Sequence, residues 1–204
     1  PGKSRKFILI AAHYDIKRFN FIKDFQGAND GASGVAALLG MISALQKYEG
    51  ELPCGIKFVF FDGEECIEEY GPADGLHGSR RLAKEWSENG LLKKCRAMIL
   101  LDMVGDKDLT ITIPKGCTKS LIDRTLRLAQ ENGLGSRFRV FESDMIDDHV
   151  PFLERGVPAI DLIDFNYGPG NAFWHTTQDS LDKISAQSIK IVADFALGLY
   201  WNIA

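Results

Sequence analysis

The chain is poor in cysteine and in histidine, with four of each in 204 residues. Cys54, Cys66, Cys95 and Cys117 show no C-x-x-C spacing, so they make poor ligands for the closed thiolate cage of a structural zinc site. No stretch of about 18 uncharged apolar residues exists, so nothing in the sequence reads as a membrane span. Positive charge is not in excess: the net charge is −4 and the basic residues are scattered without an arginine-rich stripe, which argues against a nucleic-acid partner. Internal repeats and low-complexity tracts are lacking. No secretory signal pattern stands at the N-terminus, yet Pro1-Gly2 reads as a turn rather than a natural start, so a preceding segment is expected and the compartment stays open. With 45% hydrophobic residues, what remains is one globular domain over residues 1–204 with a sizeable core.

Against that background, acidic and histidine residues recur at the ends of apolar runs. His13, Asp15, Asp30, the pair Glu64-Glu65, Asp102 and His175 each close or trail such stretches as FILIAAHYD, IKFVFFDGEE and AMILLDMVGD. Separate strand ends would thereby deliver imidazole and carboxylate ligands to one edge of a sheet. Histidine nitrogen and carboxylate oxygen suit zinc, and three protein ligands with one open position is the layout of a catalytic centre.

The order of elements supports that placement. Buried strands are expected over Lys6–Ala12, Ile56–Phe61, Ala97–Leu101 and Ala159–Ile163, with an edge strand over Leu109–Ile113 closed by Pro114. Helices are expected over Gly31–Tyr48, with Val35, Leu38, Leu39, Ile42 and Leu45 as the apolar face, and over Ser79–Glu88 and Leu121–Asn132. Asp148–Arg155 reads as a short helix with Asp148 as its N-cap, and Ser185 caps a final helix towards Trp201. Strands alternating with helices imply an α/β three-layer sandwich around a mostly parallel sheet, with ligands bound beyond the carboxyl ends of the strands.

The strings AAHYD, GANDGASG, FVFFDGEE, GSRRLA, ILLDMVG, DDHVPFLERGVPAIDLI and WHTTQDSLDKI resemble the zinc-dependent exopeptidase clan. Within it they are most similar to glutaminyl-peptide cyclotransferases, the glutaminyl cyclases of animal type that also occur in bacteria. The resemblance covers nearly the whole chain. It implies a zinc exopeptidase-like (phosphorylase/hydrolase-like) fold with a central mixed sheet, and a preceding strand hairpin whose second arm starts near Pro1-Gly2. It also implies Asp30, Glu65 and His175 as zinc ligands, Glu64 as the general acid/base, and Asp102 and Asp147 as carboxylates coupled to Glu64. A secreted or periplasmic location is the weaker implication of the same likeness.

The resemblance leaves two enzymes in play. Dinuclear aminopeptidases of the clan place a second zinc on the residues matching His13 and Asp102, bridged by the one matching Asp30, whereas cyclases hold one zinc. His13 also reads as a core histidine satisfied by Asp15, in which case both belong behind the ligands rather than among them. A 12-residue insert, Cys66 to His77, and the Asp147-Asp148-His149 run match the cyclase pattern. Departures fall in the substrate pocket: Tyr70 stands where animal cyclases carry tryptophan, Asp161 where they carry histidine, and a cysteine pair near the first ligand segment is missing, with Ala12 before His13. Trp174 matches and would wall the pocket.

A cyclase would take a peptide or protein with an N-terminal glutamine, the α-amine attacking the γ-carboxamide to release ammonia, with one zinc as cofactor. An aminopeptidase would hydrolyse N-terminal peptide bonds with two. A catalytically inactive binding module of the same fold is the third reading, disfavoured because every ligand position is retained.

Overall fold

In the computed structural model, which describes residues 4–204, the first apolar run becomes a strand buried on both faces. In β1 (Phe7–His13) every residue is buried, because alternate side chains serve two cores: Phe7, Leu9 and Ala11 face one, and Ile8, Ile10 and Ala12 the other. The expected turn at Pro1-Gly2 lies outside the described residues.

The chain then forms α1 (Ala32–Gln46), β2 (Gly55–Phe61), α2 (His77–Glu88), β3 (Cys95–Asp102), β4 (Ile111–Pro114), α3 (Lys119–Glu131), β5 (Phe138–Phe141), α4 (Val150–Leu153), β6 (Ala159–Ile163) and α5 (Ala186–Ile203). Ser185 caps α5 as expected, its Oγ accepting the Ser188 N–H at 3.0 Å. Strands β2, β1, β3 and β6 pair in that order, all parallel, so His13, Phe61, Asp102 and Ile163 end at the same edge. Residues of α1, α3 and α5 pack on one face, and of α2 and α4 on the other, making the three layers. Among the described residues the main sheet contains no antiparallel strand, where a mixed sheet was expected.

Two local expectations are corrected. The strand expected over Leu109–Ile113 lies off the main sheet: β4 pairs in parallel with β5, which the sequence did not announce. Thr112 explains the arrangement, since its hydroxyl donates to the Ile163 carbonyl at 3.0 Å and accepts the Phe165 N–H at 2.9 Å, tying β4 to the end of β6 through a side chain instead of a ladder. The inward face of α1 is Ser33, Gly34, Ala37, Leu38 and Met41, while Leu39 is 55% exposed. Small residues face the sheet because the helix presses against it: a Cβ at Gly34 would stand 2.4 Å from the Leu101 carbonyl oxygen and 2.8 Å from the Ala12 Cβ. This close seating carries the start of α1, and Asp30 just before it, to the carboxyl edge of the strands. No helix of the described residues is long and apolar enough to cross a membrane.

Candidate metal centre and active site

At that edge the expected ligands converge from three different local structures. Glu65 follows β2, Asp30 sits in the turn before α1, and His175 lies in the loop before α5. The His175 Nε2 stands 3.1 Å from Glu65 Oε1 and 3.2 Å from Asp30 Oδ2. A single N–H cannot serve both oxygens well, whereas ligands about 2.0–2.2 Å from one tetrahedral ion stand roughly 3.3–3.5 Å apart. One imidazole and two carboxylates at these separations are therefore suited to a zinc ion, and Glu65 Oε2 and Asp30 Oδ2 are buried without a hydrogen-bond partner. His175 adopts φ 56°, left-handed backbone that a non-glycine residue seldom occupies, as does Met103 beside it in the pocket wall at φ 47°. Burial pulls the His175 ring down, but its bonds to Asp30 and Glu65 outweigh that and hold it at about 9.

His13 extends the cluster. Its Nε2 is 3.1 Å from Asp102 Oδ1 and 3.4 Å from Asp30 Oδ1, so Asp30 faces His175 with one oxygen and His13 with the other. His13, Asp30 and Asp102 form a second group of donors close enough for one ion. Asp15 does different work: its two carboxylate oxygens accept the backbone N–H groups of Glu64 and Glu65 at 3.1 and 3.2 Å, fixing the turn that aims those side chains.

Glu64 points into a cavity of about 320 Å³ that Asp30, Glu65, Asp102, Asp147 and His175 also line. Burial, reinforced by the charges of Asp148, Glu65 and Asp102 and only partly offset by His13, pushes its carboxyl well above the ordinary glutamate range. Tyr70 donates its hydroxyl to Glu64 Oε1 at 3.0 Å. Burial and the neighbouring Asp161, Asp102 and Glu64 likewise push Asp147 up. The walls are apolar: Trp174 stacks on the His175 ring at 3.9 Å and meets Phe165 edge-on, with Met103, Phe141 and Ile163 completing the enclosure. Tyr70 and Trp174 thus line the cavity as expected. Asp161 does not: it sits fully buried in the middle of β6.

Asp148 is not a helix cap. His149 occupies the N-cap of α4 with no side-chain cap bond, and Asp148 is fully buried just before it, its N–H donating to Asp147 Oδ1 at 2.5 Å. Burial lifts Asp148 to about 7 and holds the His149 ring down at about 4.

Sequence reasoning passed over three supports. Asp179, in the string WHTTQDSL, accepts the N–H groups of Asn29 and Asp30 at 2.7 and 3.1 Å and the Tyr167 hydroxyl at 3.0 Å, holding the Asp30 turn. Lys17 donates to Cys66 Sγ at 3.1 Å and lies 3.5 Å from Glu65 Oε2. Phe19 and Phe25 pack edge-on against His175. The run of aromatics between β1 and α1 was the available signal, since a loop without elements of its own carries Phe19, Phe21 and Phe25, of which Phe21 is exposed and the other two half-buried.

Comparison with known proteins adds a second line of observation. The sequence model of peptidase family M28 matches residues 1–200. The chain is 33% identical to the glutaminyl-peptide cyclotransferase of Drosophila melanogaster, over 89% of this chain and 56% of that protein. It thus spans little more than half the length of that relative. The crystal structure of an Acidobacteriales bacterium glutaminyl cyclase superimposes with a TM-score of 0.90 at 39% identity, covering 100% of this chain and 71% of that one. A leucine aminopeptidase precursor from Bacteroides thetaiotaomicron superimposes with a TM-score of 0.78 at 28% identity, covering 98% and 73% respectively.

Proposed function

Because the chain belongs to peptidase family M28, whose scaffold here gathers a zinc-type donor set, we propose that it is a glutaminyl-peptide cyclotransferase. It converts the N-terminal glutamine of a peptide or protein to pyroglutamate and releases ammonia. Likeness to the Acidobacteriales glutaminyl cyclase over the whole of this chain carries the proposal.

Asp30, Glu65 and His175 would hold a single zinc, which when bound supplies a Lewis acid for the γ-carbonyl of the substrate. The remaining chemistry belongs to the chain. The substrate α-amine forms a bond to its own γ-carbon, the bond from that carbon to the side-chain nitrogen breaks, and no water is consumed. Glu64 takes the proton that the amine must lose and returns it to the departing ammonia, and its raised proton affinity suits that exchange near neutral pH. Tyr70 holds the Glu64 carboxyl through its hydroxyl, while Asp102 raises its proton affinity and Asp147, itself pushed up, is a further carboxyl beside it. Trp174, Phe165 and Met103 keep water from the reacting amine.

A second reading, a hydrolytic aminopeptidase, is favoured by one observation: His13, Asp30 and Asp102 are spaced for a second ion. One assay decides. With a glutamine-initiated peptide, the cyclase yields ammonia and a blocked N-terminus, while the aminopeptidase yields free glutamine and a shortened peptide. Free amino acid as the sole product would refute the proposal.

A further inference from the structure

We propose that Asp147, His149 and Asp161 form a further cation site, taking a divalent first-row ion through one imidazole and two carboxylates, distinct from both donor groups around Asp30. The site joins the turn before α4 to the middle of β6, and it does not depend on the reaction proposed above. One donor atom from each residue lies within 4.8 Å of the others. The three are 3%, 1% and 0% exposed, so water does not solvate them.

Their polar atoms lack donors. His149 Nδ1, Asp147 Oδ2 and both oxygens of Asp161 are buried and meet no N–H or hydroxyl donor. A carboxylate removed from water needs a compensating charge or donor, and a cluster of them needs it more. Among the described residues no lysine or arginine pairs with any of these groups; the one ion-pair distance at Asp161 is to His149.

His149 Nδ1 stands 3.9 Å from Asp161 Oδ2, too long for a hydrogen bond. Donors of one ion at about 2.0–2.1 Å stand roughly 2.9–3.4 Å apart as neighbours and about 4.1 Å apart when opposite, so this pair fits donors on nearly opposite sides of a six-coordinate ion. Asp147 also lines the active-site cavity, which provides a way in. An ion here would pin Asp147 and cancel charge beside Glu64.

The test uses zinc as the probe. The intact protein is loaded with a small excess of zinc, crystallised, and examined by anomalous difference maps on either side of the zinc absorption edge. A peak bounded by Asp147, His149 and Asp161 is expected. It should persist in His175→Ala, which removes a ligand of the other centre, and vanish in His149→Phe. His149→Gln, which keeps a polar side chain, guards against a variant that fails to fold. No peak at this place while the Asp30, Glu65 and His175 centre is filled would overturn the proposal. So would a peak that needs millimolar zinc, marking an adventitious ion only.

Discussion

Glu64 and Glu65 are adjacent in sequence yet face different chemistry, Glu65 towards His175 and Glu64 towards Tyr70. Their separation depends on Asp15, whose carboxylate receives both of their N–H groups. On the proposed roles, Glu64→Gln retains zinc and loses turnover by roughly 10²–10⁴-fold, because the amide keeps shape but accepts no proton. Metal analysis beside an ammonia-release assay checks this, and near-normal turnover would move the proton to Asp102 or Asp147. Asp179 acts one step further out, on the backbone of Asp30. Asp179→Ala should weaken zinc affinity by about 10–100-fold, read by competition with a chelator. That Asp30, Glu65 and His175 come together was legible in the sequence through the strings they stand in, GANDGASG, FVFFDGEE and WHTTQDSLDKI. Asp179 and Lys17 were not, since any acid or base in a loop can grip a distant backbone, and nothing local marks the one that does.

At the scale of elements, strand β1 and helix α1 show how packing sets the site. Hydrophobic periodicity identified both, and it misplaced the inward face of α1, because it ranks leucine above glycine. The close approach to β1 and β3 reverses that ranking at Gly34. Gly34→Val should cost about 1–3 kcal/mol of stability by forcing the helix off the sheet, measured by urea unfolding. It should also lower zinc affinity, since Asp30 rides on the same turn; unchanged stability would mean that the helix shifts without cost. The paired short strands β4 and β5 had too little pattern to be read, and Thr112 bonds them to β6 through contacts that no periodicity encodes.

For the molecule as a whole, the open matter between cyclase and aminopeptidase turns on His13, which touches Asp102, Asp30 and Asp15 together. As a cyclase, His13→Ala should keep one zinc and still release ammonia from a glutamine-initiated peptide, losing only what local packing around Asp15 contributes. Loss of one of two ions, with collapse of cleavage of a leucine-initiated peptide, would instead establish the dinuclear hydrolase. The sequence by itself determined the α/β alternation, the parallel strands and the acidic and histidine residues at the strand ends that make up the candidate donor set, because buried strands need continuous apolar runs and a divalent ion of zinc type accepts few kinds of ligand. Only the tertiary structure decided that Asp30 turns one oxygen to each histidine, that Asp161 lies behind the pocket rather than in it, and that Asp148 caps nothing. Those outcomes depend on distances between residues far apart in the chain, and such distances are set by how closely helices and strands pack, which no local pattern carries.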